Sequence, residues 1–338
     1  MTTTQPDVLE VTNLKVHFPA DKGRVVHAVD GASFSIPPGV AFGLVGESGS
    51  GKTTAALACA RLNPVTDGTI RLNGRDITTL EGNALKAMRR EVQVVFQDPY
   101  ASLNPRERAG SIVRRPLDLL EVGNPADREA RVDDLFALVG LRPDQKDLFP
   151  HQFSGGQRQR IGVARALASH PSLIVCDEPV SALDVAIQAQ ILNLLARLKQ
   201  DLGLSYLFIS HDLAVVHHLC DRIAVMYLGQ IVEIGSRHDL FSRPMHPYTH
   251  ALISAVPSPH SVGEGAGRIR LRGDPPSPYD PPKGCRFAGR CAYATDHCRE
   301  VAPQLTPTGG DHAVACHRAE EPEVAAAREA LLNSAPSG

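Results

Sequence analysis

Gly46-Glu47-Ser48-Gly49-Ser50-Gly51-Lys52-Thr53 is the stretch on which the fold of this chain turns. Glycines at 46, 49 and 51 let successive backbone N–H groups converge on an anion, and a helix starting at Gly51 would add its positive end. In such a loop Lys52 reaches the β- and γ-phosphates of a nucleotide and the Thr53 hydroxyl ligates Mg²⁺. The flanks match: Val40 to Val45 is an apolar run that reads as a buried strand entering the turn. A glycine–serine turn ahead of a lysine means little without that strand and helix.

Outward from the loop, Val92 to Gln97, Leu173 to Asp177 and Tyr206 to Ser210 are short apolar runs bounded by turn or helix signals. They read as central strands of a covered, largely parallel sheet, and so as an α/β fold. Alternation from Val8 to Phe18 and from Ala32 to Ile36 predicts an antiparallel β part at the N-terminal side. Tyr100 to Gly162 turns helical, with an amphipathic stretch at Arg128 to Leu141 and breaks expected at Pro116, Gly123 and Pro143. Ile223 to Ile234 predicts a hairpin turning at Gly229. From Pro257 to Gly284 the composition shifts to Pro, Gly and Ser, which reads as a linker that wraps rather than packs. The expected organisation is a nucleotide-binding domain over 1–256, with a helical subdomain at about 100–162, and an extension over 257–338.

Composition narrows the function classes. The 338 residues are 43% hydrophobic and 21% charged, as globular chains are, and 35 basic against 37 acidic side chains leave a net charge of −2. No basic footprint suited to nucleic acid is present, and no partner of that class is expected. The longest stretch without Asp, Glu, Lys or Arg, Pro244 to Gly263, carries four prolines and three histidines and is no spanning helix. The first ten residues, MTTTQPDVLE, lack the features of a signal peptide, so the expectation is cytoplasmic, with mostly reduced cysteines.

Further residues suit phosphate chemistry. Asp177 and Glu178 close the strand Leu173-Ile174-Val175-Cys176, where an acid can hold the Mg²⁺ hydration shell and a second can orient or deprotonate a water. Ser154-Gly155-Gly156-Gln157-Arg158, ahead of a helical stretch, offers a second backbone nest and a hydroxyl. Taken in order, the loop at 46–53, Gln97 after a strand, FSGGQ, LIVCDEP, Ser181-Ala182-Leu183-Asp184 and His211 resemble an ABC-type ATPase over about residues 8 to 256.

The resemblance implies a head-to-tail dimer in which each ATP lies between the loop of one subunit, including Gly46, Ser48, Gly49, Ser50, Gly51, Lys52, Thr53 and Thr54, and the Ser154, Gly155, Gly156 and Gln157 signature of the other. It implies Phe18 as the aromatic stacked on adenine, Glu178 as catalytic base and His211 as a clamp on the γ-phosphate. By the same resemblance Gln97 contacts Mg²⁺ or water and links the site to the helical insertion, where a permease docks, and Asp184 signals across the dimer. Phe153 replaces the commoner leucine before SGGQ, and Val180 stands where threonine is frequent.

The segments Pro244-Met245-His246-Pro247-Tyr248-Thr249, Ala251-Leu252 and Leu271-Arg272-Gly273-Asp274-Pro275-Pro276-Ser277-Pro278 resemble the tail of the dipeptide, oligopeptide and nickel importers. Cys285, Cys291, Cys298 and Cys316 continue the likeness, with the spacing C-x5-C-x6-C-x17-C. Four thiolates accept either a tetrahedral Zn²⁺ or an iron–sulfur cube; the x5 and x6 gaps favour the larger object over paired zinc knuckles, and the resemblance implies a 4Fe–4S cluster. Gly289 and Ala292 replace prolines common in that tail, and His297, His312 and His317 are alternative ligands nearby. The expected protein is a peripheral ATPase at the cytoplasmic face of a bacterial plasma membrane. Its expected partners are two integral-membrane permeases, a paralogous second ATPase and, indirectly, an extracytoplasmic solute-binding protein. The alternative is an ATP-gated iron–sulfur regulator or assembly factor outside transport.

Overall fold

The computed structural model describes residues 6–256 and 269–334. Among them are twelve strands: β1 Leu9–Pro19, β2 Val25–Ile36, β3 Ala41–Val45, β4 Asp67–Leu72, β5 Arg75–Asp76, β6 Val92–Val95, β7 Leu173–Asp177, β8 Ser205–Ser210, β9 Arg222–Tyr227, β10 Gln230–Ser236, β11 Thr306–Gly309 and β12 His312–Val314. They form a four-stranded sheet in the order β2-β1-β4-β5 and an eight-stranded sheet in the order β11-β12-β10-β9-β3-β8-β7-β6.

The second sheet has a parallel centre. β3, β7 and β8 are buried at every position, which is why their sequences are continuous apolar runs with no alternation. β3 pairs in parallel with both β8 and β9, β8 with β7, and β7 with β6, so Val45, Val95, Asp177 and Ser210 end neighbouring strands on one side of the sheet. In such a sheet the crevice beyond the carboxyl ends of the strands is where a ligand binds. The loop at 46–51, Gln97, Glu178 and His211 all emerge there.

The helical insertion is built from helices Ala109–Leu119, Arg128–Leu138 and Gly155–Leu167, which share one core with the sheet through Ile112, Val113, Leu135, Phe136 and Ile161. The break expected at Pro116 is corrected: Pro116 lies inside the first of these helices. A mid-helix proline costs about 3 kcal/mol or more. Burial of Ile112, Val113 and Leu117 on one face, at roughly 1.5–3 kcal/mol each, outweighs it. Gly123, with φ of 62°, does interrupt the chain, and Pro143 opens a short 3-10 turn, Pro143–Asp147.

The hairpin at Gly229 forms between β9 and β10, and Leu228 and Gly229 both take positive φ, 42° and 83°, as a tight two-residue hairpin turn requires. The tail then joins this sheet. β12 pairs with β10 through Glu233↔Val314 and Ile234↔Ala313, and Phe287 belongs to the same core as β3. The two expected units therefore share one sheet. Much of the expected linker, residues 257–268, lies outside the described residues. Its described end is held: Pro278 O accepts from His27 N at 3.0 Å, and Tyr279 lies under the Arg24 guanidinium. No helix among the described residues is long and apolar enough to cross a membrane.

Candidate active site

Two glycines of the 46–51 loop have no substitute. A Cβ on Gly46 would sit 2.1 Å from the Met226 carbonyl oxygen and one on Gly51 2.1 Å from that of Ala28, with φ of 151° and 100°. The loop therefore lies against backbone, and Lys52 starts the helix Lys52–Cys59 directly beneath it. Lys52 Nζ donates to Gly46 O and Glu47 O, both at 2.8 Å, so the ammonium already stands inside the loop. Burial lowers its pKa, against which Glu178, Asp177 and Glu47 act.

Thr53 Oγ1 donates to Asp177 Oδ1 at 2.8 Å. Burial raises the Asp177 pKa, the Thr53 bond opposes this and the nearby Glu178 charge adds to it. A hydroxyl and a carboxylate side by side are an oxygen-only donor pair, which fits Mg²⁺ and stabilises the Asp177 charge once the cation binds. Glu178, held at φ of 45°, faces two of the expected residues: its Oε1 is 3.1 Å from His211 Nδ1 and its Oε2 accepts from Gln97 Nε2 at 3.3 Å.

These groups surround a cleft of about 660 Å³ lined by Gly46, Ser48, Gly49, Gly51, Lys52, Thr53, Thr54, Gln97, Glu178 and His211. Ser50 is buried beneath the loop and Asp177 stands behind Thr53. Phe18 does not line the cleft. It is half-buried against the core, and its partner across the ladder, Val26, takes the lining position with His27 and Ala28. Leu228, Gly229, Leu252 and Pro278 also line the cleft. Nothing in the sequence ties them to the nucleotide cleft, to which the β9–β10 turn and the segments after it bring them.

The second nest lies outside this cleft. Ser154 caps helix Gly155–Leu167: its Oγ accepts from Gln157 N at 3.3 Å while Gln157 Oε1 accepts from Ser154 N at 2.9 Å. Ser154 is exposed, as is Asp184 at the start of helix Val185–Leu202. Both present polar groups to solvent.

The model of the ABC transporter family matches residues 29–181, and that of the oligopeptide/dipeptide transporter C-terminal region matches residues 232–298. The oligopeptide transport ATP-binding protein AppF of Bacillus subtilis is 48% identical over 321 residues, covering 93% of this chain and 98% of its own. A putative peptide import ATP-binding protein of Brucella ovis is 49% identical over 315 residues, covering 93% and 99%. The chain belongs to the ATP-binding subunits of ABC transporters.

Solved ABC structures agree. A dimeric ATP-binding cassette bound to ADP and Pi superposes with a TM-score of 0.61 at 26% identity, covering 68% of this chain and 98% of that one. CbiO1 from Clostridium perfringens, part of an ABC transporter complex, gives 0.62 at 26%, covering 70% and 91%. The P-loop fold, the ATPase activity and the use of ATP with Mg²⁺ follow for this ABC subunit.

In the tail of the ABC subunit, Cys285, Cys291, Cys298 and Cys316 line one small cavity together with His246, Phe287 and His317. Burial pushes the Cys285, Cys291 and Cys316 thiols up, Cys316 to about 12. Of the three alternative histidines, His312 is turned away and bonds Glu233 Oε1 at 2.8 Å. The His297 ring lies tilted against that of His317, whose Nε2 is 3.0 Å from Val301 O.

Proposed function

We propose that this ABC subunit powers the import of peptides through two membrane-embedded permeases, at the cytoplasmic face of the membrane and paired with a second ATPase subunit. What carries the proposal is the near full-length match to peptide-import relatives, which spans both the nucleotide cleft and the tail.

In the proposed cycle ATP exchanges the Gly46 and Glu47 carbonyls on Lys52 for its own β- and γ-phosphate oxygens. Thr53, Asp177 and Gln97 would hold Mg²⁺, which when bound would supply neutralisation of the phosphate charge. Glu178 takes the proton of the attacking water, whose oxygen bonds the γ-phosphorus as the bridging P–O bond breaks to leave ADP. His211, now on Glu178, supports the γ-phosphate. The Ser154–Gln157 turn closes over the ATP of the second subunit, and Asp184 faces the same junction.

For the four-cysteine cavity we propose a 4Fe–4S cluster as a structural staple. Supporting it, the four cysteines line one small cavity, and a set of four thiolates accepts an iron–sulfur cube. Iron and acid-labile sulfide in anaerobically purified protein check this; zinc without sulfide rejects it. For transport, the tagged subunit in detergent extracts should bring down two integral membrane proteins, and its ATPase rate in proteoliposomes should rise with binding protein and peptide. Absence of a membrane partner together with a rate indifferent to peptide rejects import.

A further inference from the structure

A third group of metal-competent side chains stands at the rim of the nucleotide cleft. His17 in β1 and His27 in β2 are direct partners across the antiparallel ladder. Asp30 lies three residues beyond His27, which in a regular strand would put it on the other face. Here the register slips between Val16↔Val29 and His17↔His27, so Ala28 is the extra residue of a bulge. The bulge returns Asp30 to the face that carries both histidines.

The resulting geometry is that of a ligand set. His17 Nε2 is 3.2 Å from Asp30 Oδ1, and His27 Nδ1 is 3.9 Å from Asp30 Oδ2. All three residues offer donor atoms within 4.8 Å of one another. Ligands about 2.0–2.1 Å from a tetrahedral ion stand roughly 3.3 Å apart, so little movement closes the set. His27 Nδ1 is buried without a hydrogen-bond partner, an atom that a folded protein rarely leaves so. The two imidazole rings are 4.3 Å apart.

Arg286 completes the surroundings. Its guanidinium bonds Asp30 Oδ2 and the Leu228 carbonyl, fixing the carboxylate from behind as outer partners of metal ligands do. Its charge also opposes a cation, which limits affinity. Two imidazoles and one carboxylate select borderline transition metals over Mg²⁺ or Ca²⁺, which prefer all-oxygen sites.

We infer that His17, His27 and Asp30 form a binding site for a divalent transition-metal ion of the zinc class, with a fourth position open beside the ATP cleft. The site is separate from the four cysteines and does not depend on what is transported. Cobalt(II) titration of the full-length protein, followed by visible absorption, tests it with the metal alone as probe. Sulfur ligation at the cysteines shows as near-ultraviolet charge transfer, while the proposed site contributes d–d bands without it. The wild type should bind one equivalent more than H17N or H27N. H17N, altered outside the cleft, should keep its affinity for magnesium-ATP, so the missing equivalent reports the site and not unfolding. Zinc should raise the melting temperature of the wild type more than that of H17N. Equal cobalt stoichiometry and identical d–d bands in wild type, H17N and H27N overturn the inference, leaving a hydrogen-bonded ion cluster only.

Discussion

Arg290 grips both carboxylate oxygens of Glu47, at 2.7 and 3.2 Å, and thereby ties the segment between Cys285 and Cys291 to the phosphate-binding loop. Burial works against the guanidinium charge, and Glu47 with Tyr227 more than restores it. Tyr248 adds a second tether, its hydroxyl accepting from Glu47 N at 2.7 Å. The tail thus reaches the loop on which ATP must sit.

R290A should therefore loosen the loop without touching a phosphate-binding group. Magnesium-ATP affinity is expected to fall about three- to tenfold, or roughly 0.7–1.4 kcal/mol, read by calorimetry. R290K, which keeps charge but loses the bidentate fork, should fall between. Unchanged affinity in both variants would show that the loop holds its shape alone.

E178Q keeps the side chain's size and its contacts with Gln97 and His211 while removing the base. ATP binding should persist and phosphate release should slow by at least about a hundredfold. Turnover at the wild-type rate would sink that role for Glu178.

Two glycines of one loop should behave differently. Gly49, φ 77°, has nothing within 4 Å of an added Cβ, so G49A bears backbone strain alone, of order 1 kcal/mol. G51A adds a 2.1 Å clash with the Ala28 carbonyl, which the chain must move to relieve. It should unfold at clearly lower denaturant than G49A and bind no ATP; equal midpoints would contradict the packing described.

Burial lowers the His246 pKa from 6.5 to about 4, against the pull of Glu233. The unfolded chain takes up a proton near pH 6.5 that the folded one refuses until about pH 4, so stability is intact above pH 6.5 and is lost as pH falls between those values. The loss is at most about 3.5 kcal/mol, at roughly 1.4 kcal/mol per pH unit. Urea unfolding at pH 7.5 and pH 5 should show it in the wild type, and H246N should show a smaller drop. Equal drops in both would remove His246 as the source.

Short-range features were legible because each is a local requirement. The loop at 46–53 needs glycines between a strand and a helix, buried parallel strands need unbroken apolar runs, and a hairpin of two residues needs a glycine at 229. Pro116 misled because a proline's local cost was judged without the face of the helix that Ile112 and Val113 bury. β11 and β12 escaped notice because four and three residues are too few to show a period.

What sequence alone determined is the chemistry that ordered motifs impose: the phosphate loop, the acids that end β7, the capped turn at Ser154 and the four thiols. Tertiary structure alone decided who meets whom. Val26 and not Phe18 lines the cleft, Asp30 joins His17 and His27 because of a bulge, and Arg290 finds Glu47 across 243 positions of sequence. Such meetings depend on strand pairing between distant segments, whose free energy resides in the assembled sheet and in no single stretch of the chain.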